Sequence, residues 1–194
     1  PDVTQPSGAN RAQTVNFGPD RTLWVSRNGE RTFYVLTPPQ EGGRWTLTDW
    51  VTLPDFDGNG RDVHSAQLSE SVLLTIESSN NIESWYLQGY RLEGNTITQA
   101  HNPIPISEYM YGIGQRRGDG IRWLVTDFRC KTQPGIYRVS RGQPELVVPE
   151  VRGTGIAFLS DGSALVTRYG QSHPGAFNGV PGALIYVPAD RFSS

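Results

Sequence analysis

Two sets of residues in this chain have the types and spacing for chemistry. The first is the loop Asp55-Phe56-Asp57-Gly58-Asn59-Gly60-Arg61-Asp62. Oxygen ligands at alternate positions (Asp55, Asp57, Asn59), with glycine where the chain turns, are what a hard divalent cation such as calcium requires. Val63 and Ala66 stand where later carboxylate ligands belong, so a plain polar turn between strands is the competing reading. The second set is four charged residues closing four similar apolar segments: Arg27, Glu77, Asp127 and Arg168. Glu77 and Asp127, joined by His64, form a carboxylate and imidazole set suited to a divalent cation. Arg27 and Arg168 suit a carboxylate or other planar anion. Tyr111 and His64 sit where innermost strands would begin, and they complete the candidate ligand-binding residues. The competing reading is that these are solvated strand ends that pair with one another.

The elements that must position these residues come from a repeat. Leu23-Trp24-Val25-Ser26-Arg27, Leu73-Leu74-Thr75-Ile76-Glu77, Trp123-Leu124-Val125-Thr126-Asp127 and Ala164-Leu165-Val166-Thr167-Arg168 share one pattern, at spacings of 50, 50 and 41 residues. Each is followed by an aromatic-rich strand, for example Thr32 to Leu36 and Gly135 to Val139, and preceded by a short strand and turn. Trp45 to Leu53, Asn95 to Gln99 and Glu145 to Val148 supply a fourth strand to the first three units. A four-stranded antiparallel meander of about 40 to 50 residues is the period of a propeller blade. The turns Asn28-Gly29, Asn59-Gly60 and Asp161-Gly162 are of the hairpin type. The predicted fold class is therefore all-β and propeller-like, one domain of four blades at about 11–54, 62–100, 108–149 and 153–194. The fourth unit lacks an obvious last strand, and residues 1–8, with Asp2 to Gln5 as the strand, are the expected closure. A sandwich is the alternative architecture, and half of a larger ring dimerising edge to edge is the alternative to closure.

Composition narrows the function classes. Gly (22) and Pro (14) in 194 residues leave little room for long helices. A net charge of −2 disfavours nucleic acid as a partner. No apolar run reaches the roughly 20 residues of a membrane-spanning helix. Cys130 is the single cysteine, so no disulfide forms within the chain; no motif surrounds it, and a buried or semi-buried thiol is expected over a nucleophile, with a thiol activated by its neighbour Arg129 as the alternative. With a chain that begins at Pro1, these features lead to the expectation of an extracytoplasmic protein, periplasmic or secreted.

Asp62-Val63-His64-Ser65-Ala66-Gln67-Leu68 followed by Val72-Leu73-Leu74-Thr75 resembles a blade of the lactonase-type propellers. Gly153-Thr154-Gly155-Ile156-Ala157-Phe158-Leu159-Ser160-Asp161-Gly162 resembles the inner-strand signature of the SMP-30/gluconolactonase and sugar dehydrogenase propellers. The first six positions of the Asp55 loop resemble those of EF-hands and FG-GAP-type repeats. The leading functional expectation is a binding module that holds a small ligand, sugar or protein partner on one face, as a monomer or edge-to-edge dimer. The lactonase resemblance implies an alternative, a metal-assisted hydrolase or isomerase, with calcium or another divalent cation as cofactor. A third is an inhibitor or immunity-type protein acting through the loop Tyr169 to Pro181.

Overall fold

A computed structural model describes residues 12–18, 21–27, 29–39, 43–56, 58, 60–69, 71–79, 84–94, 96–116, 121–126, 130–140, 142–168 and 182–193. Asp57, Asn59, Asp127, the closing segment 1–8 and the loop 169–181 lie outside the described residues.

Apolar residues alternating with polar ones, broken by glycine turns, put the chain into antiparallel meanders. Sheet 1 runs β1 (Ala12–Phe17), β2 (Leu23–Arg27), β3 (Thr32–Thr37) and β4 (Thr46–Thr52) in that spatial order. Sheet 2 is β5 (Asp62–Ser69), β6 (Val72–Ser78), β7 (Trp85–Glu93) and β8 (Thr96–Ile106). Sheet 3 is β9 (Met110–Gln115), β10 (Arg122–Thr126), β11 (Gly135–Val139) and β12 (Glu145–Pro149). Sheet 4 is β13 (Gly155–Phe158), β14 (Ala164–Arg168) and β15 (Ala183–Val187). Leu23, Leu73, Leu124 and Leu165 thus occupy the second strand of each sheet, as the repeat predicts. All three expected turn glycines take the left-handed backbone that a residue with a Cβ avoids: Gly29 at φ 76°, Gly60 at φ 58° and Gly162 at φ 85°.

The expected closing strand of the fourth blade, Asp2 to Gln5, lies outside the described residues. After β15 the chain coils into a short 3-10 turn, Ala189–Phe192, and the sheet stops at three strands among the described residues. Phe192 in that turn is buried and meets Trp123 edge-on, 5.1 Å between ring centres. An extended strand there would carry that ring away from its site.

The chain divides into two compact units, residues 1–83 with 87–103, and residues 84–86 with 104–194. In the first, Phe33, Leu53, Val63, Leu68, Leu73 and Tyr90 form the core. The innermost strands of sheets 1 and 2 are clipped by one side chain. Asn16 on β1 donates Nδ2 to the Ala66 carbonyl of β5 at 3.3 Å and accepts the Leu68 amide on Oδ1 at 3.2 Å. In the second unit, Trp123, Val125, Ile136, Val148, Ile156 and Val166 form the core. There the inner strands β9 and β13 approach through glycine. A Cβ on Gly112 would stand 3.2 Å from the Gly155 Cα and collide with Val125.

Candidate functional site

The site lies in the first unit, where the turn after β2 meets the ends of β4 and β6. Gly29 turns the chain, and its amide donates to the Val63 carbonyl at 3.1 Å, which holds the turn against the start of β5. Arg31, two residues on, points inward. Its five N–H groups are all engaged. Nε donates to the Leu53 carbonyl at 3.3 Å. Nη1 donates to the Arg61 carbonyl at 3.0 Å and to Glu77 Oε2 at 3.2 Å. Nη2 donates to the Pro54 carbonyl and to the Tyr90 hydroxyl, each at 2.7 Å.

Glu77 is only 1% exposed, on a strand buried on both faces. Besides Arg31, its carboxylate accepts the Tyr90 hydroxyl at 2.6 Å and the Thr75 hydroxyl at 2.7 Å, both on Oε1. A charge this deep is tolerated only because it is paired and hydrogen-bonded on both oxygens. Burial, reinforced by the Glu77 charge and hydrogen bond, holds the Tyr90 phenol protonated well above the usual tyrosine range, with Arg31 opposing. Burial pulls Arg31 down, and Glu77 and Tyr90 together outweigh it, so the guanidinium stays firmly charged.

These three residues floor a small cavity of about 110 Å³. Its walls and rim come from Asp55, Phe56, Arg61, Gln88 and Gln99. Phe56 stacks on Tyr90 at 5.8 Å and 22° while remaining 45% exposed, so it is an open aromatic shoulder on a fixed base. Asp55 Oδ2 accepts the Gly60 amide at 2.6 Å and closes the Asp55 loop from within.

Of the residues singled out in the sequence, Glu77 and Asp55 line this cavity. Arg27 does not. It pairs with Glu30 at 3.6 Å and lies over the Tyr34 ring at 5.2 Å. His64 bonds the Ser78 hydroxyl through Nε2 at 2.7 Å, at a bulge between β5 and β6. In the second unit, Tyr111 packs edge-on against Trp85 at 5.5 Å, and Arg168 ends β14 opposite Ala183. Asp57, Asn59 and Asp127 lie outside the described residues. Among the described residues, no three His, Cys, Asp or Glu side chains come together as a metal-binding group. Arg31, Tyr90, Arg61, Gln88 and Phe56 went unmarked in the sequence. The available signal was Arg31 itself, a charge just past a glycine turn at the same end of its sheet as the repeat charges.

No protein-family model matches the chain. No curated protein matches it. Among solved structures it is similar to one described as the structure of the Dos1 propeller, at 11% identity and a TM-score of 0.53. The similarity covers 83% of this chain and 43% of that one, so the chain spans less than half the length of the propeller it matches. At this identity the likeness concerns fold alone. No family model ties the chain to the lactonase-type propellers. Its four antiparallel meanders are the blades of a β-propeller fold.

Proposed function

We propose that the chain is a propeller-type binding module whose recognition point is the cavity between Phe56 and the Arg31–Glu77–Tyr90 floor. The observation that carries this reading is the state of the floor. Arg31 is held by five hydrogen bonds within the protein, so the cavity keeps its shape with nothing in it. A preformed site loses less freedom on binding and so binds more tightly. At about 110 Å³ the cavity falls short of the roughly 300 Å³ that a drug-sized ligand fills. It suits one small polar group, carried by a free ligand, a sugar or the side chain of a protein partner. Phe56 offers a stacking face, and Gln99 an amide that both donates and accepts.

The test is a nuclear magnetic resonance titration with acetate, acetamide and glucose as separate probes. The expected result is saturable movement of the Phe56, Gly60 and Arg61 amide signals with at least one probe. Phe56→Ala with Gln99→Ala should remove it while the rest of the spectrum stays in place. If no probe moves these signals at high millimolar concentration, the cavity is structural only and the reading fails.

A further inference from the structure

Sheet 1 is apolar on both faces. One face carries Phe33 and Val35 into the core. The other presents two cross-strand rows with one residue from each strand, Val15–Val25–Tyr34–Trp50 and Phe17–Leu23–Leu36–Leu47. The outer members are open to solvent: Val15 is 58% exposed, Phe17 70%, Leu47 53% and Trp50 66%. The middle four are half-buried. A charged pair borders the rows, since Arg27 lies over the Tyr34 ring and bonds Glu30, but neither row contains a charge. Scattered exposed hydrophobics need no explanation. Eight in register, rich in aromatic rings and with charge only at the border, have the composition of a protein interface.

The sizes along the first row decide the partner. β1 and β2 contribute valines, whereas β3 and β4 contribute a tyrosine and a tryptophan, so the row climbs from small to large across the sheet. Two sheets pack face to face about 10 Å apart with their strands nearly aligned. A twofold axis parallel to the strands would set β1 of one copy over β4 of the other, and β2 over β3. Val15 then faces Trp50 and Val25 faces Tyr34, small against large, which is how facing layers interdigitate. The second row pairs Phe17 with Leu47 and Leu23 with Leu36. A surface graded in this way is complementary to its own rotated copy, as an isologous contact requires.

Area allows the same conclusion. From their exposure and residue size, the eight side chains offer on the order of 600 Å² per copy, and stable interfaces begin at about 600 Å² per partner. We infer that two copies of this chain form a twofold dimer in which sheet 1 packs face to face on sheet 1. An interface at the lower end of the stable range dissociates on dilution, so the monomer is also present at low concentration.

Sedimentation equilibrium on the 194-residue chain tests this. The expected result is a shift from monomer to dimer, and no further, as concentration rises through the micromolar range. Val15→Lys and Trp50→Glu should each stay monomeric with unchanged circular dichroism, because both side chains are exposed within a single copy. Mixed in equal amounts, these two variants should form a dimer that neither forms alone. One of its two Val15–Trp50 contacts would join opposite charges, and the other would be the native pair. Leu184→Glu changes an exposed apolar residue of the second unit and should leave the dimer intact. A wild-type monomer at high micromolar concentration overturns the proposal, and so does a dimer that survives Trp50→Glu or is lost on Leu184→Glu. Variants that stay monomeric when mixed overturn the twofold register, and growth beyond the dimer overturns the closed pair.

Discussion

Replacing Arg31 by methionine keeps the length of the side chain and removes its charge and all five donors. Glu77, at 1% exposure, is then left with two hydroxyl donors and no cation, and the Leu53, Pro54 and Arg61 carbonyls lose a partner. Breaking a buried ion pair from one side destabilises by about 3 to 5 kcal/mol. The Arg31 side chain retains 16% exposure, so water reaches part of the vacated space, and the lower end, about 3 kcal/mol, is expected. Against a typical stability of about 5 to 15 kcal/mol, that is a large share. In urea, with a slope of about 2 kcal/mol per molar, the midpoint should fall by about 1.5 M. The chain divides into two compact units, so the shift is expected in the transition of the unit that holds Arg31, followed by tryptophan fluorescence and circular dichroism together. The double variant Arg31→Met with Glu77→Leu removes the stranded charge and should regain about 1 to 2 kcal/mol over Arg31→Met alone. A loss below about 1 kcal/mol for the single variant, or a double variant that loses the sum of both singles, would refute the reading of this network as a buried, mutually dependent clamp.

Three further outcomes follow from particular contacts. Tyr90 ionises near pH 10 when unfolded, but burial and Glu77 keep it protonated well above that when folded. Above pH 10 the unfolded state therefore binds fewer protons, and stability should fall by up to about 1.4 kcal/mol per pH unit, while below pH 10 this contribution stays intact. Tyr90→Phe should flatten that part of the alkaline slope in urea titrations from pH 7 to 11, and an unchanged slope would count against the assignment. Asn16→Ala removes both hydrogen bonds between β1 and β5 and should lower stability by about 1 to 2 kcal/mol, read from the thermal midpoint. Gly112→Ala places a Cβ against Val125, which is fully buried, and 3.2 Å from the Gly155 backbone, so a loss of about 1 to 3 kcal/mol is expected from chemical denaturation.

The blades were legible because their signal is local. Alternation, aromatic third strands and glycine turns all act within about ten residues, and they placed β2, β6, β10 and β14 in equivalent positions. That no strand follows β15 was legible too, but the 3-10 turn there, which seats Phe192 beside Trp123, was not, because that ring is far away in sequence. The site divides the same way. Glu77 stood out as a carboxylate ending an apolar strand. Its partners did not, because Arg31 lies 46 residues away in the segment before β3 of sheet 1, and Tyr90 lies 13 away on β7, the neighbouring strand of the same sheet. Arg27 and Arg31 show the limit most directly. Both flank the Gly29 turn, yet Arg27 is engaged with Glu30 and Tyr34 on the outer side, whereas Arg31 enters the core. Spacing along the chain does not encode which way a turn delivers each neighbour.

The clamp and the cavity share Tyr90, and that ties the stability of the first unit to whatever it binds. The Tyr90 hydroxyl accepts from Arg31 and donates to Glu77, which fixes the ring, and the ring in turn is the surface on which Phe56 stacks. A variant at Arg31 or Glu77 therefore alters the cavity floor and the Phe56 shoulder together, and a loss of binding in such a variant says nothing about direct contact. Phe56→Ala separates the two effects. Its ring is 45% exposed and makes none of the clamp's hydrogen bonds, so the network beneath should survive its removal. A charge pair buried this deeply is no more stabilising than well-packed apolar side chains would be. What it adds here is direction: five donors in one plane set the ends of β4 and β6, the start of β5 and Tyr90 within β7 relative to one another, and the cavity is the space they leave.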